Sequence, residues 1–517
     1  MMTCSSVRRL ILVFLACTLA TTLSAEEPHK VSPVRQADAV CGKCHADILR
    51  NYLQTPMANA SGAAADRVVA GAFRHAVSGI DYKISEEDGA LWLKFSRRSD
   101  PPLEGHRRLD YFFGSGHLGI TYLYTINGYL LESPVAYYAE SHSYDMKPGL
   151  ASAETMPPAL PMTRGCMRCH MSGVQREDPG TINHFRDLPF LYGGVNCESC
   201  HGDGREHVSS GGKASVINPV KLESERRDSI CISCHLEGDT RIEHAGRDVN
   251  EFKPGDRIGD YVSYFVFSSD QLMSRGVSEI EQLSFSRCKR VSGNRMSCMS
   301  CHNPHYSPPD AEKARFYRSK CLACHSQPKF SESHFSGNPD CVSCHMPKGT
   351  AERLPHVAWT DHRIRRKPEA ADKSTPQGPT TELVSFLNES ASARDFALAY
   401  YDLVLGGNAS LRETAWRRLG AVHNPQTRDL RVAMSLGYLA QMGGDNRQAL
   451  TLYEEALDLD PSNVNATNNL AILLARSGQL LRAEALWKMV FDRNEDLDQP
   501  GINLALAECM LGNKEAA

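Results

Sequence analysis

The chain is 517 residues long, too long for one ordinary core, so roughly two to four domains are expected. Its 57 Lys and Arg against 61 Asp and Glu leave a net charge of −4. That balance excludes a nucleic-acid or polyanion partner held by bulk charge, and the informative residues are instead 18 Cys and 20 His.

Residues 1–25 read as a secretory signal peptide: Arg8 and Arg9 form a basic start, Leu10 to Leu19 is apolar, and small residues lead to Ser24-Ala25 before Glu26-Glu27. Cleavage is expected after Ala25. The apolar run is about half of the ~20 residues that a spanning helix needs, and no other stretch comes close. An exported, periplasmic protein with no transmembrane segment in its mature chain is therefore expected, with acylation at Cys17 as a minor alternative.

Fourteen of the sixteen cysteines beyond this leader fall in the pattern C-x-x-C-H. They are Cys41/Cys44/His45, Cys166/Cys169/His170, Cys197/Cys200/His201, Cys231/Cys234/His235, Cys298/Cys301/His302, Cys321/Cys324/His325 and Cys341/Cys344/His345. Chance would place about 0.02 such pentapeptides in a chain of this composition. Zinc knuckles pair two C-x-x-C units without a His after each, and redox dithiols come singly. Two thiols three positions apart suit the two vinyl groups of one haem, and the adjacent His supplies an axial imidazole to its iron. Seven covalently attached haem c groups are expected. Cys288, between Phe285 and Val291, reads as a buried thiol, and Cys509 as packing.

Successive motifs start 125, 31, 34, 67, 23 and 20 residues apart, a lone first site and a denser later set. The first gap alternates apolar and polar residues over 66–140, with Asn127-Gly128 between two such runs, which predicts a small β-rich insert with a hairpin. From 160 to 364 Gly, Pro and Ser punctuate short segments, as in a chain wrapped around prosthetic groups that themselves form the core. One short helix is predicted from Ala311 to Lys320. A charged, Pro-rich linker follows at 365–382.

Residues 383–517 are helical in periodicity throughout. A 34-residue frame places Leu436, Gly437, Ala449, Tyr453, Ala456 and Pro461 at the signature positions of a tetratricopeptide repeat. One period on, it finds Leu470, Ala471, Ala483 and Trp487, and 390–422 reads as a divergent pair of the same stack. The expected fold is thus mostly α: an irregular haem-wrapped multihaem cytochrome domain over 26–364, the β-rich insert within it, and a C-terminal α-solenoid over 383–517.

A haem with two protein ligands carries electrons, and one with an open position binds or activates small molecules, so the supply of second ligands matters. Without His29 and His423, eleven His outside the motifs remain: His75, His106, His117, His142, His184, His207, His244, His305, His334, His356 and His362. Met57 and Met346 read as packing rather than ligands.

Val195-Asn-Cys197-Glu-Ser-Cys200-His201-Gly202-Asp-Gly204 with His207, Asn218-Pro219 and Cys231-Ile-Ser-Cys234-His235 resembles the cytochrome c-554 family. Cys298-Met-Ser-Cys301-His302-Asn-Pro-His305 and Cys341-Val-Ser-Cys344-His345-Met346-Pro347 resemble the wider group that includes hydroxylamine oxidoreductase and pentahaem nitrite reductase. The resemblance covers 40 to about 365, and members with a C-terminal tetratricopeptide domain are similar to the whole chain. It implies second ligands at His207, His305, His356 and His362, with His334 between the last two motifs. For the upstream sites His75 and His117 are chosen, because each sits beside a predicted strand. No motif reads C-x-x-C-K, the form that nitrite reductases in this group often use. The expected function is therefore electron transfer, with the repeats docking a redox partner protein. The alternative is a multihaem oxidoreductase acting on nitrogen or sulfur oxyanions or hydroxylamine-like substrates.

Overall fold

The computed structural model describes residues 32–99, 102–157, 160–268, 277, 279–326, 340–348, 360–366, 382–387, 391–495 and 497–513. The leader, most of the linker, His334 and His356 lie outside the described residues.

The alternating segment after the first motif forms two sheets. Strands Gly71–His75, Ile80–Glu87, Ala90–Arg97 and Leu103–Leu109 make an antiparallel meander. Its inward residues Ile80, Tyr82, Ile84, Leu91 and Leu93 are fully buried, the period-two face that strand geometry demands. In the second sheet Ser143–Met146, Tyr129–Tyr138, Gly119–Ile126, Tyr111–Phe113 and Ser61–Ala63 are successive neighbours, and Leu160–Pro161 pairs with the long central strand. Asn127 and Gly128 turn the central hairpin with φ of 49° and 85°, as a two-residue loop of this chemistry requires. Asp88-Gly89 does the same in the meander, a signal the sequence reading did not single out.

Beyond residue 160 the chain becomes short helices and turns. The pentapeptides lie on helical turns or at their starts: Arg164–His170 carries the second, Ser224–His235 ends on the fourth, Cys341–His345 is the seventh. The Asp310–Leu322 helix runs into the sixth, slightly longer than predicted.

Seven helices then stack as antiparallel neighbours: Ala393–Leu405, Arg412–Val422, Leu430–Gly443, Asn446–Leu459, Val464–Arg476, Leu480–Phe491 and Asp498–Leu511. Side chains of Ser392, Asp429, Asp445 and Asn463 accept the first free backbone N–H groups of four of them. Gly437 lets the third helix approach the next, since a Cβ there would stand 2.8 Å from the Tyr453 ring. Ala449, Ala456, Ala471 and Ala483 are fully buried, as the repeat frame expects.

The stack is not hung on a loose tether. Leu383–Ser385 adds a third strand to Thr240–Glu243 and Val262–Phe267, and one core joins Ile242 and Phe265 to Leu398, Tyr400 and Leu436. Arg394 donates to the Glu243 carbonyl. Farther along, the Tyr129 hydroxyl donates to the Arg493 carbonyl, and the buried Asn494 bridges Ile182 N–H and the Gly180 carbonyl. Motif region and helical stack thus belong to one compact unit.

Candidate haem centres

Three of the histidines expected as second ligands meet a motif histidine. The rings of His45 and His207 have centroids 6.5 Å apart and lie within 12° of parallel. His201 and His305 are 5.8 Å apart at 10°, and His302 and His362 are 6.3 Å apart at 29°. Two imidazoles bound from opposite sides to one metal through bonds of about 2 Å would place their centroids roughly 6 Å apart.

Hydrogen bonds aim several of these rings. Nδ1–H of His201 donates to the Ile217 carbonyl at 2.8 Å, that of His207 to Ala214 at 2.7 Å and that of His362 to Thr360 at 2.7 Å. His345 makes the same kind of bond to the Arg365 carbonyl. Each bond fixes the tautomer that leaves Nε2 as the lone-pair nitrogen. Burial pushes His302 down to about 4, helped by neighbouring His362 and His235, and burial with His201 lowers His305. Neutral imidazole is the form that binds a metal. The loop of His362 is held by Asp361. Burial pushes its carboxyl up, but Arg363 and Arg365 outweigh that and keep it below the ordinary value.

The other candidates are placed differently. His75 lies in the meander with Nδ1 against Ser78 Oγ at 2.8 Å and Nε2 against the Ala151 carbonyl at 3.0 Å, so both ring nitrogens are engaged away from any pentapeptide. His117 is exposed on the loop before Gly119 and close enough to Asp310, at the start of the helix carrying Cys321, to act on its charge. Among the unassigned histidines, His184 pairs with Asp178, His244 with Ser263, His142 with Tyr137 and His423 with Glu455. His106 packs edge-on to Trp92.

Thiols from different pentapeptides come together. Cys41 meets Cys197, and with the buried Asp38 their ligand atoms lie within 4.8 Å of one another. Cys169 adjoins Cys234, Cys231 adjoins Cys298, and Cys321 adjoins Cys341. Cys200 lies within charge range of Cys234, and Cys301 of Cys324. The motifs therefore run first, third, fourth, fifth, sixth and seventh as spatial neighbours, with the second joined at the fourth. Cys288 is half-buried beside Cys301 and Cys324 rather than fully enclosed, since Phe285 and Val291 point outward.

Several motif residues lie at the surface of the polypeptide. Cys44 is exposed, as are Cys166, Cys324 and Cys344. In the first motif it is Cys41 that meets a neighbouring thiol, whereas Cys44 stands at the far end of the same turn, its N–H donating to the Cys41 carbonyl at 3.2 Å. His325 is exposed too, as is His302. It follows the end of the Asp310–Leu322 helix, where Cys321 is the residue that reaches the seventh motif, and its N–H donates to the Cys321 carbonyl at 3.0 Å.

Beside Cys298 opens a cavity of about 890 Å³ whose apolar wall is Ile232, Ile258, Ile280, Leu283, Phe386 and Leu387. Its remaining wall carries Glu223, Glu225, Asp228 and Lys289 and no histidine, so the fit to haem rests on the donor set, paired attachment thiols with imidazoles spaced for one metal. Asp38, Arg168 and Arg241 also stand at these junctions. Sequence reasoning missed them, because a single charged residue near a motif has no periodic or spacing signature.

The family model described as cytochrome c554 and c-prime matches residues 136–202, and the tetratricopeptide repeat model matches residues 452–485. The multiheme cytochrome MtrA of Shewanella baltica (strain OS185) is 26% identical over 179 residues, 31% of this chain and 52% of its own length. The chain thus spans about half the length of the curated relative it matches. Among solved structures, the outer cell wall cytochrome OcwA aligns over 84% of this chain and 99% of its own, with 13% identity and a TM-score of 0.39. MamA aligns over 23% of this chain and 67% of its own, with 24% identity and a TM-score of 0.22. The repeated C-x-x-C-H pentapeptides, the family match that runs through two of them and the repeat match in the C-terminal helices together make this chain a multihaem cytochrome of the c type with a tetratricopeptide region.

Proposed function

We propose that the chain is an exported, periplasmic electron carrier holding seven haems, one at each pentapeptide, and that its helical stack docks a redox partner protein. The observation that carries this reading is the set of three near-parallel imidazole pairs about 6 Å apart, the spacing of two axial ligands on one iron. When bound, each haem supplies one-electron Fe2+/Fe3+ chemistry without bond making. The chain supplies the rest. Fourteen thiols would anchor the groups, and the pairs His45 with His207, His201 with His305 and His302 with His362 would each hold an iron and keep small molecules from it. His117, near Asp310 at the start of the helix that leads to the sixth motif, stays a candidate without an assigned site. His334 and His356 stay candidates from the family resemblance.

Adjacency of thiols from neighbouring motifs supports a continuous wire, since attachment edges packed together shorten every electron step. Among the described residues no helix is long and apolar enough to cross a membrane. An extended concave face is what a tetratricopeptide stack offers to a protein partner.

Spin-state counting by electron paramagnetic resonance on the oxidised holoprotein tests the reading. All-low-spin iron is expected, the seventh second ligand coming from the other histidines outside the motifs. A stoichiometric high-spin ferric signal would reveal an open coordination position and favour a multihaem oxidoreductase of nitrogen or sulfur oxyanions instead.

A further inference from the structure

The charges at the motif junctions differ in sign. At the Cys41/Cys197 junction the acting charges are carboxylates, Asp38 and Glu198. Burial raises the Asp38 carboxyl above its ordinary value, opposed by the Cys197 N–H that both of its oxygens accept, at 3.0 and 3.2 Å. At Cys231/Cys298 the charges are mixed, Asp228 and Lys289. At Cys169/Cys234 they are cationic: Arg168 and Arg241, with the His235 imidazole adjoining.

Arg168 sits inside the second pentapeptide, between its two cysteines. Its guanidinium is buried, with the equally buried Tyr264 hydroxyl beside it as a hydrogen-bonding neighbour. Arg241 reaches the same place from the Thr240–Glu243 strand, with Nη2 3.7 Å from where a Cβ on Gly165 would stand. A guanidinium keeps its charge under all ordinary conditions. Its field acts at full strength where water is excluded, so it stabilises an added electron on any nearby iron. A carboxylate does the reverse.

We propose, resting on the reading that haems occupy these motifs, that Arg168 and Arg241 hold the second and fourth haems at higher potential than Asp38 and Glu198 allow the first and third. In the partly reduced protein, electrons then collect at the Cys169/Cys234 junction. The route is first, third, fourth, second, because Cys200 of the third motif lies beside Cys234 of the fourth. Each passage oxidises one Fe2+ to Fe3+ and reduces another Fe3+ to Fe2+. No ligand bond changes and no proton moves.

The test is a potentiometric titration of the holoprotein, followed by absorbance and electron paramagnetic resonance. Arg168→Gln is expected to lower the reduced-to-oxidised ratio of the highest-potential component by about tenfold at fixed potential, or about 59 mV for one electron. Arg168→Lys should stay near wild type, and Asp38→Asn should raise the lowest-potential component. Should Arg168→Gln fail to mature, Arg241→Gln carries the same expectation. Wild-type titration of the glutamine variants with full haem content would overturn the proposal, and so would an Arg168→Lys variant shifted as far as Arg168→Gln. Haem content of the wild type, measured in parallel, tests the underlying reading separately: absent haem condemns that reading, whereas unmoved potentials condemn only the assigned bias.

Discussion

His45 and His207, far apart in sequence, present their imidazoles 6.5 Å apart and within 12° of parallel. His207 comes from the short Arg205–Ser209 helix just after the third pentapeptide, yet it faces the first. An imidazole is thus presented to one motif by the chain that has just built another, and the first motif is tied to the later cluster. His207→Ala should convert one low-spin haem to high-spin with covalent haem retained, whereas Cys197→Ala should weaken attachment. Electron paramagnetic resonance with protein mass distinguishes the two. An unchanged spectrum in His207→Ala would remove this residue from the ligand set.

His75 provides a contrast. With Ser78 and the Ala151 carbonyl on its two nitrogens, it stitches the meander to the segment after Met146. His75→Ala should leave every haem low-spin and cost about 1–3 kcal/mol of stability, the usual penalty for stranding buried hydrogen-bonding groups. A new high-spin signal would instead make His75 an iron ligand.

Asn494 joins the last described repeats to the motif region through Gly180 and Ile182. Asn494→Ala leaves a buried N–H and a carbonyl unpaired, and about 1–3 kcal/mol should be lost. Denaturant unfolding monitored by helix signal and by haem absorbance should shift together, since the two regions share a core. A shift in the helical signal alone would separate them.

Burial pushes the Tyr82 phenol from its ordinary 10.0 up to about 12. Its folded-state value lies above the unfolded one, so its contribution is fully present below about pH 10 and is lost as pH climbs toward about 12. Tyr82→Phe should flatten the fall in stability across that window. An identical slope in both proteins would show that Tyr82 does not titrate on unfolding.

The haem attachment residues were legible because their spacing is set by covalent chemistry that no other use of Cys and His reproduces. Their burial was not legible: the same pentapeptide leaves Cys44 and Cys324 exposed and half-buries Cys197 and Cys200, since exposure depends on which neighbouring segment packs against each turn. The repeats were legible in Gly437, Tyr453 and the buried alanines, since close helix packing admits only small residues at fixed positions. Imidazoles that face a motif histidine were legible as candidates where they sit within a few residues of a motif, as His207 and His305 do, although the motif each one faces was not. His207 faces His45 and not its sequence neighbour His201, because three-dimensional pairing leaves no local pattern. His75 sat beside a strand as expected, but the strand buries it among its own hydrogen-bonding partners. The shared core of Ile242, Phe265 and Leu436 was invisible because strand Leu383–Ser385 is only three residues long.

The mass of the mature, intact protein tests the central claim most directly. The account predicts a red protein that outweighs its processed polypeptide by seven haem groups under denaturing conditions. A colourless protein, or one weighing no more than its amino acids, would contradict it.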